Sequence, residues 1–195
     1  MDANPGGCPS DEELMSRLRD GDDDALTPLL RRWEVPVKGF LFRLLGSTAD
    51  TEDLAQETFV RVYGKRVAFR EGARFSPWLF AIAANLAKNR LRWWKRRPVG
   101  SLDAWIEAGG DAPDGSPAGA SAAAVAVRRE QIAAVQAAVL ALPLALRVPL
   151  VLFAYEDQPV AGIAAALGCT PKAVENRLHR ARQGLRHALQ AVAGG

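Results

Sequence analysis

A segment rich in Gly, Pro, Ser and Ala divides this chain of 195 residues into two parts. It reads PVGSLDAWIEAGGDAPDGSPAGASAAA, and its second half has no sustained apolar period. Such a segment cannot bury enough apolar surface to offset the entropy lost on ordering, so we expect a flexible linker there. The predicted division is a disordered start at 1–10, a domain at 11–97, the linker at 98–124 and a second domain at 125–192.

Apolar residues recur at three- and four-residue steps in the first part of the chain, as in amphipathic helices. Ser10 and Glu13 form a capping box that opens the first predicted helix. A long second helix should be kinked or split by Pro36. Further on, Ser76 and Pro77 supply an N-cap and a first-turn proline for the fourth predicted helix.

The second part has the same helical character. The stretch from 128 to 141 is amphipathic through Ile132, Val135, Val139 and Leu140, and an apolar helix interrupted by Pro149 follows it. A helix, a tight turn at Gly168 and a long helix opened by Pro171 come next. No convincing alternating strand pattern appears, so the predicted fold class is all-α, with two small helical domains.

Charge is unevenly distributed along the chain, although the net charge is only +3. From Arg61 to Arg97 there are eleven Lys and Arg against one acid, and from Lys172 to Arg186 there are five against one. Two separate basic blocks favour two contacts with one polyanion. The alternative for either block alone is a solvated helix face.

The first basic block contains FSPWLFAIAANLAKNRLRWWKRR, residues 75–97, which combines amides, cations and aromatics. Asparagine side chains hydrogen-bond base edges, and Lys and Arg neutralise phosphates. Phe75, Trp93 and Trp94 could stack on unpaired bases, although the tryptophans could equally belong to the core. One helical face carries the polar set: Asn85, Lys88, Asn89, Arg92, Lys95 and Arg96.

The second basic block contains the helix-turn-helix pattern VAGIAAALGCTPKAVENRLHRARQGLRHAL. Ile163, Val174 and Leu178 should pack inward, which leaves a polar face that can enter a major groove. The alternative, a helical hairpin without a ligand, is weaker because the turn residues and the charge bias agree. The predicted reading face comprises Lys172, Glu175, Asn176, His179, Arg180 and Arg182.

A third surface is acidic. In TEDLAQETFVRVYGK, the residues Asp53, Gln56 and Glu57 fall on one face of a predicted helix. An acidic face beside a basic segment would repel DNA, so it favours a protein partner with basic residues. An ordinary solvated face is the alternative.

Several classes of protein find no support in the sequence. It has no Gly-rich phosphate loop, no metal-ligand cluster and no nucleophile–base set, so we expect neither an enzyme nor a cofactor or metal. It has no secretory signal, and no apolar run approaches the ~20 residues that span a bilayer. Cys8 and Cys169 are isolated, which fits a reducing cytoplasm.

Three motifs, in order, resemble those of bacterial extracytoplasmic-function (ECF) sigma factors of the sigma-70 superfamily: DTEDLAQETFVRVY, FREGARFSPWLFAIAANLAKNRLRWWKRR, and LPLALRVPLVLFAYEDQPVAGIAAALGCTPKAVENRLHRARQGLR. The resemblance implies a factor that binds core RNA polymerase and directs transcription initiation at promoters. Asp53, Gln56 and Glu57 would dock on the coiled coil of the β′ clamp, with further contacts to the β subunit.

The resemblance also implies roles in promoter DNA recognition. The loop with Phe69, Arg70, Arg74 and Phe75 would capture a flipped base of the melted −10 element, and the asparagine-bearing helix after it would hold that strand. The helix from Pro171 would read the −35 duplex.

A dedicated anti-sigma factor is a further implied partner. The protein would act in the cytoplasm, at the nucleoid when active, or be held at the membrane by that partner. Two rival hypotheses remain: a stand-alone helix-turn-helix regulator of duplex DNA, and a scaffold that uses its Trp- and Arg-rich helix at anionic lipid.

Overall fold

The structure, a computed structural model, describes residues 8–96 and 122–193, which we call the N-terminal half and the C-terminal half. All regular elements in these ranges are α-helices or short 3-10 helices, which confirms the predicted all-α class with two helical domains. Most of the predicted linker and of the predicted disordered start lies outside the described residues. Within the described ranges, no helix has the length and apolar character needed to cross a membrane.

Each half contains four α-helices within its described range. In the N-terminal half, 3-10 turns at Asp23–Ala25 and Arg66–Ala68 precede α2 and follow α3. Helix α5 begins inside the segment predicted as linker. The α-helices are α1 (Asp11–Arg19), α2 (Leu26–Leu45), α3 (Thr48–Gly64), α4 (Phe75–Arg96), α5 (Ala122–Ala141), α6 (Leu144–Ala154), α7 (Val160–Leu167) and α8 (Pro171–Ala193).

The core of the N-terminal half lies between α2, α3 and α4. Phe40 and Phe80 are buried there and meet edge to face, with ring centroids 5.1 Å apart. Trp33 packs edge-on against Phe80 at 5.8 Å. Its indole N–H donates to Asp11 of α1 at 2.9 Å, which ties the first helix to the bundle. Such aromatic pairs add about 0.5–1.5 kcal/mol each beyond the area that they bury.

Local signals in the sequence explain most helix ends. The predicted capping box is confirmed, because Ser10 Oγ accepts from Glu13 N at 3.2 Å and Glu13 accepts from Ser10 N at 2.7 Å. Ser47 Oγ accepts from Asp50 N at the start of α3. Helix α2 ends at Gly46, whose positive φ of 71° closes the last turn.

The predicted split at Pro36 is wrong, because α2 runs as one helix through this residue. Proline removes one backbone hydrogen bond from a helix. Leu29 before it and Val37 and Phe40 after it are all fully buried on the same side of α2. Packing of a continuous apolar face therefore outweighs the lost bond. Pro149 likewise lies inside α6 and is buried.

The C-terminal half packs α6, α7 and α8 around Ile163, Val174 and Leu178, as predicted. The turn between α7 and α8 uses Gly168 with φ 62° and ψ 41°, a conformation that favours glycine. The apolar face predicted on α5 is buried at its end, where Val139 is 4% exposed, but not at Ile132 and Val135, which are 41% and 36% exposed.

The two halves also pack against each other. Helix α2 contacts α5 and α6, and α4 contacts α7. Buried apolar residues of both halves form one continuous cluster. The sequence predicted two domains but gave no indication that they would dock.

Candidate nucleic-acid interfaces

One face of α4 carries amides and cations into solvent. Asn85, Lys88 and Asn89 are exposed, while Leu79, Phe80, Ile82, Ala83 and Leu86 on the other side are buried. The predicted stripe continues with Arg92, Lys95 and Arg96, which are also exposed. The arrangement offers hydrogen-bonding groups first and positive charge towards the C-terminus, where the helix dipole favours cations.

The loop that precedes α4 is supported from beneath by aromatic rings. Phe69 and Phe75 were predicted to touch DNA, but they are 5% and 0% exposed. Phe69 packs edge-on against Trp78 at 5.2 Å, and Phe75 packs against Trp33 at 5.8 Å. Their ring faces are therefore taken by other aromatics and are not available to a base.

The cations of the same loop point outward. Arg70 and Arg74 are exposed, and the chain reverses between them at Gly72, which has a φ of 74°. Glycine reaches this conformation at little cost. The loop thus presents two guanidinium groups to solvent, above the buried aromatic rings that support it.

The N-terminus of α4 is capped by a residue that is distant in the sequence. Helix α4 begins at Phe75, one residue before the predicted N-cap, and Phe75 N donates to Glu12 Oε1 of α1 at 3.1 Å. The predicted cap, Ser76, instead donates its hydroxyl to Gln158 of the C-terminal half at 3.1 Å. Glu12 was missed because a contact across 63 residues leaves no local signal.

The two adjacent tryptophans have different environments. Trp94 is half-buried against the core, whereas Trp93 is 44% exposed. Trp93 and Asn89 of α4, with Glu57 and Arg61 of α3, line a shallow depression of about 210 Å³. An ion pair between Arg90 and Asp50 also joins α3 to α4.

The predicted acidic face of α3 is only partly acidic in the structure. Asp53 and Gln56 are exposed. Glu57 is half-buried, and its carboxylate accepts from Arg61 Nη2 at 2.6 Å, which compensates its charge. Val60 next to it is 70% exposed. The surface therefore offers the unpaired carboxylate of Asp53, the ion-paired carboxylate of Glu57, an amide and an apolar side chain to a partner.

Helix α8 presents the second polar face. Thr170 Oγ1 accepts from Ala173 N at 3.2 Å and caps its first turn. Glu175 lies 3.2 Å from Lys172 Nζ, so the acid on this face is compensated by a neighbouring cation. His179 Nε2 and Gln183 Nε2 are joined by a hydrogen bond of 3.0 Å. All six predicted reading residues are exposed: Lys172, Glu175, Asn176, His179, Arg180 and Arg182.

The arrangement suits two separate contacts with nucleic acid. The face of α4 combines amides with cations beside a basic loop, and α8 follows a tight turn as the second helix of a helix-turn-helix. Among the residues that the structure describes, no group of His, Cys, Asp and Glu could hold a metal ion. These features are typical of a helical DNA-binding protein, with two exposed polar surfaces on α4 and α8.

Known families match the two halves separately. Residues 29–97 match the Sigma-70 region 2 family, and residues 132–185 match the Sigma-70, region 4 family. The RNA polymerase sigma-H factor of Pseudomonas aeruginosa is 31% identical, over 93% of this chain and 95% of its own length. The ECF RNA polymerase sigma-E factor of Salmonella typhimurium is 30% identical, over 94% of this chain and 96% of its own.

A solved structure is similar to this chain over most of its length. A chain from the structure of CnrH in complex with the cytosolic domain of CnrY is similar with a TM-score of 0.67 at 25% identity, over 94% of this chain and 99% of that one. The protein therefore belongs to the extracytoplasmic-function sigma factors of the sigma-70 family. Its function is that of a sigma factor in transcription initiation, with RNA polymerase and promoter DNA as partners.

Proposed function

We propose that α4 and the loop before it hold one strand of the melted −10 element. The observation that carries this proposal is the exposed line of Asn85, Lys88, Asn89 and Arg92 above a fully buried opposite face. Amides can bond the edges of unpaired bases, and the cations can neutralise the strand's phosphates. Arg70, Arg74, Lys95 and Arg96 extend this basic surface at both ends of α4.

Helix α8 reads the −35 duplex from the major groove. Asn176 can bond adenine in a bidentate manner, and Arg180 can bond guanine or a phosphate. Glu175 can accept a hydrogen bond from cytosine N4, which requires that it leave Lys172. The other members of the reading face are His179 and Arg182.

Core RNA polymerase binds through α3. Asp53 and Gln56, with Glu57 beside them, dock on the coiled coil of the β′ clamp. The side chain of Asp53 has no hydrogen bond or ion pair within the described part of the chain, so its carboxylate is available to a basic partner.

The predicted domains have different binding roles. Residues 11–97 bind polymerase and −10 DNA, residues 125–192 bind −35 DNA, and the linker at 98–124 sets the distance between them. The protein acts in the cytoplasm and catalyses no reaction of its own. A partner that masks both halves, an anti-sigma factor, is consistent with the likeness to CnrH, which was solved with a bound partner domain.

Polymerase docking is tested by the affinity of the purified chain for core RNA polymerase that lacks any sigma factor. Asp53→Arg should weaken this binding by at least tenfold, because it places a cation against a basic partner surface. Asp24→Arg makes the same charge change at an exposed site in the 3-10 turn before α2 and should bind normally. Equal affinity of Asp53→Arg and the unaltered chain would refute the docking assignment.

The two reading surfaces are tested by one substitution on each helix, assayed in reconstituted holoenzyme. Asn85→Ala should weaken binding to melted −10 strand more than to −35 duplex, and Asn176→Ala should do the reverse. If each substitution weakened binding to the −10 strand and to the −35 duplex equally, the assignment would be refuted. Strong binding of the free chain to closed duplex would instead favour a stand-alone regulator.

A further inference from the structure

Four contacts join the two halves along one face of the N-terminal half. Arg147 reaches the end of α2, Arg43 meets Glu156, Ser76 bonds Gln158, and α7 lies against the start of α4. A Cβ added at Gly162 of α7 would lie 3.4 Å from Pro77 of α4, so the helices approach closely where Gly162 has no side chain. These contacts come from three different segments of the C-terminal half.

Arg147 joins two helix ends that belong to different halves. Its guanidinium donates to the carbonyl of Leu142 at 2.8 Å, just beyond the end of α5, and also to that of Leu140. The same group donates to the carbonyl of Leu44 at 2.6 Å, in the last turn of α2. The last carbonyls of a helix lack partners within the helix and carry its negative dipole end. One cation therefore satisfies both termini.

The loop between α6 and α7 forms the second contact. Asp157 has a φ of 48°, which is uncommon for a residue other than glycine. The amide of Gln158 accepts from Ser76 Oγ at 3.1 Å and donates to the carbonyl of Glu156 at 2.9 Å. The loop conformation thus presents Glu156 and Gln158 to the N-terminal half.

The side chain of Glu156 is nearly excluded from solvent. Its side chain is 7% exposed and lies 3.5 Å from Arg43 Nη1 of α2. The Arg43 guanidinium also lies over the ring of Tyr155, 4.3 Å from its centroid. From α4, the polar group at this loop is the uncharged hydroxyl of Ser76. A carboxylate in this position is largely removed from water, and its ion pair with Arg43 is long, at 3.5 Å.

The docked arrangement is too short to span a promoter. The −10 and −35 elements lie about 25 base pairs apart, or roughly 85 Å of B-DNA. A compact chain of 195 residues has a radius of gyration of about 16 Å, and so measures roughly 40 Å across. Both reading surfaces can therefore engage one promoter only after the halves separate. This step rests on the proposed function.

We propose that the end of α2 and the start of α4 form a docking surface for the chain's own C-terminal half, and that a proton on Glu156 stabilises this closed state. Separation of the halves exposes Glu156 to water and releases the proton. The open chain, with its two reading surfaces independent, is the form that initiates transcription.

The direction of the pH effect follows from the two environments of Glu156. Burial raises the pKa of Glu156 to about 7 in the closed state, against an ordinary value of 4.5 in water. Arg43 lowers this pKa and Asp157 raises it, but the contact with Arg43 is too long to offset the loss of water. The closed state is thus most stable below about pH 4.5, weakens up to about pH 7, and changes little at higher pH.

The test measures the distance between the halves in the full chain without polymerase or DNA. Fluorescent labels at Val67→Cys and Val127→Cys, both exposed positions, report it by energy transfer in a background with Cys8→Ser and Cys169→Ser. The ratio of open to closed chains should rise about fortyfold between pH 5 and pH 7. Glu156→Gln, a neutral isostere, should stay closed throughout this range.

Two further variants keep the proposal open to refutation. Asp157→Asn should move the transition to lower pH, because it removes a neighbouring negative charge. Gly162→Trp should open the chain at every pH, because the added indole does not fit between α7 and Pro77. Unchanged energy transfer from pH 5 to pH 8, or the same pH dependence in Glu156→Gln, would overturn the proposal. Neither result depends on polymerase binding, which Asp53→Arg tests separately.

Discussion

The two halves are stabilised in different ways. Of the twelve largest fully buried side chains in the described residues, eleven lie in the N-terminal half, and Leu152 alone lies in the C-terminal half. The N-terminal half therefore has a core of its own, built on aromatic rings and leucines. The alanine-rich C-terminal half packs around smaller side chains, and its buried residues continue into the cluster of the N-terminal half. A sigma factor of this design has one self-sufficient half and one half whose position depends on its contacts.

The largest expected effect tests whether the aromatic core belongs to the N-terminal half alone. Phe80→Ala removes a ring that is 1% exposed and packs on Phe40 and Trp33. We expect it to lower the free energy of unfolding by about 3–5 kcal/mol. Phe153→Ala removes a ring that is 38% exposed in the C-terminal half and should cost less than about 1 kcal/mol. Urea denaturation of both variants measures the difference, and similar losses would contradict the comparison.

A smaller effect tests the dependence of the C-terminal half on docking. Arg147→Ala leaves carbonyls at the ends of α2 and α5 without a partner and should cost about 1.5–3 kcal/mol. Because the contact joins the halves, thermal unfolding should change from one transition to two. Arg147→Lys keeps the charge but cannot reach all three carbonyls, so an intermediate result is expected. A single unsplit transition in Arg147→Ala would show that the halves do not stabilise each other here.

The distant cap of α4 provides a third test, with its own control. Glu12→Ala should cost about 0.5–2 kcal/mol and also weaken binding of the −10 strand, because Glu12 fixes the start of α4 beside the loop. Glu13→Ala removes the neighbouring glutamate, which caps α1, and should lower stability without affecting strand binding. Denaturation and strand affinity are measured on both. Equal losses of strand affinity would mean that Glu12 acts only through stability.

The smallest effect concerns the polar face of α8. Glu175→Gln breaks an exposed contact with Lys172 and should change the free energy of unfolding by less than about 0.5 kcal/mol. The released Lys172 can then bind a phosphate, so −35 duplex affinity should depend more steeply on salt concentration. Salt titrations of the variant and the unaltered chain provide the comparison. An unchanged salt dependence would mean that Lys172 does not reach the DNA.

Helical periodicity predicted which side chains face solvent on α4 and α8. Asn85, Lys88 and Asn176 are exposed as expected, because a period of 3.6 separates the faces of any amphipathic helix. Periodicity could not predict the aromatic residues of the loop before α4. Phe69 lies outside a regular repeat, and Phe75 precedes the predicted N-cap although it is the first residue of α4. The contacts with Trp33 and Trp78 in the fold show that both rings are buried.

For the same reason, the sequence could not predict contacts between distant segments. The cap that Glu12 provides and the docking of the two halves depend on the relative positions of helices, and no local propensity encodes those positions. Pro36 shows the opposite case, in which a strong local signal for a break is overruled by burial on both sides of it.

The contact between Arg147 and the end of α2 has a consequence for how sequences of this kind can vary. Its acceptor is the main-chain carbonyl of Leu44, which any amino acid at that position would also provide. A substitution at position 44 therefore needs no compensating substitution at position 147. Correlated changes between related sequences would not reveal this contact, even where every one of them retains it.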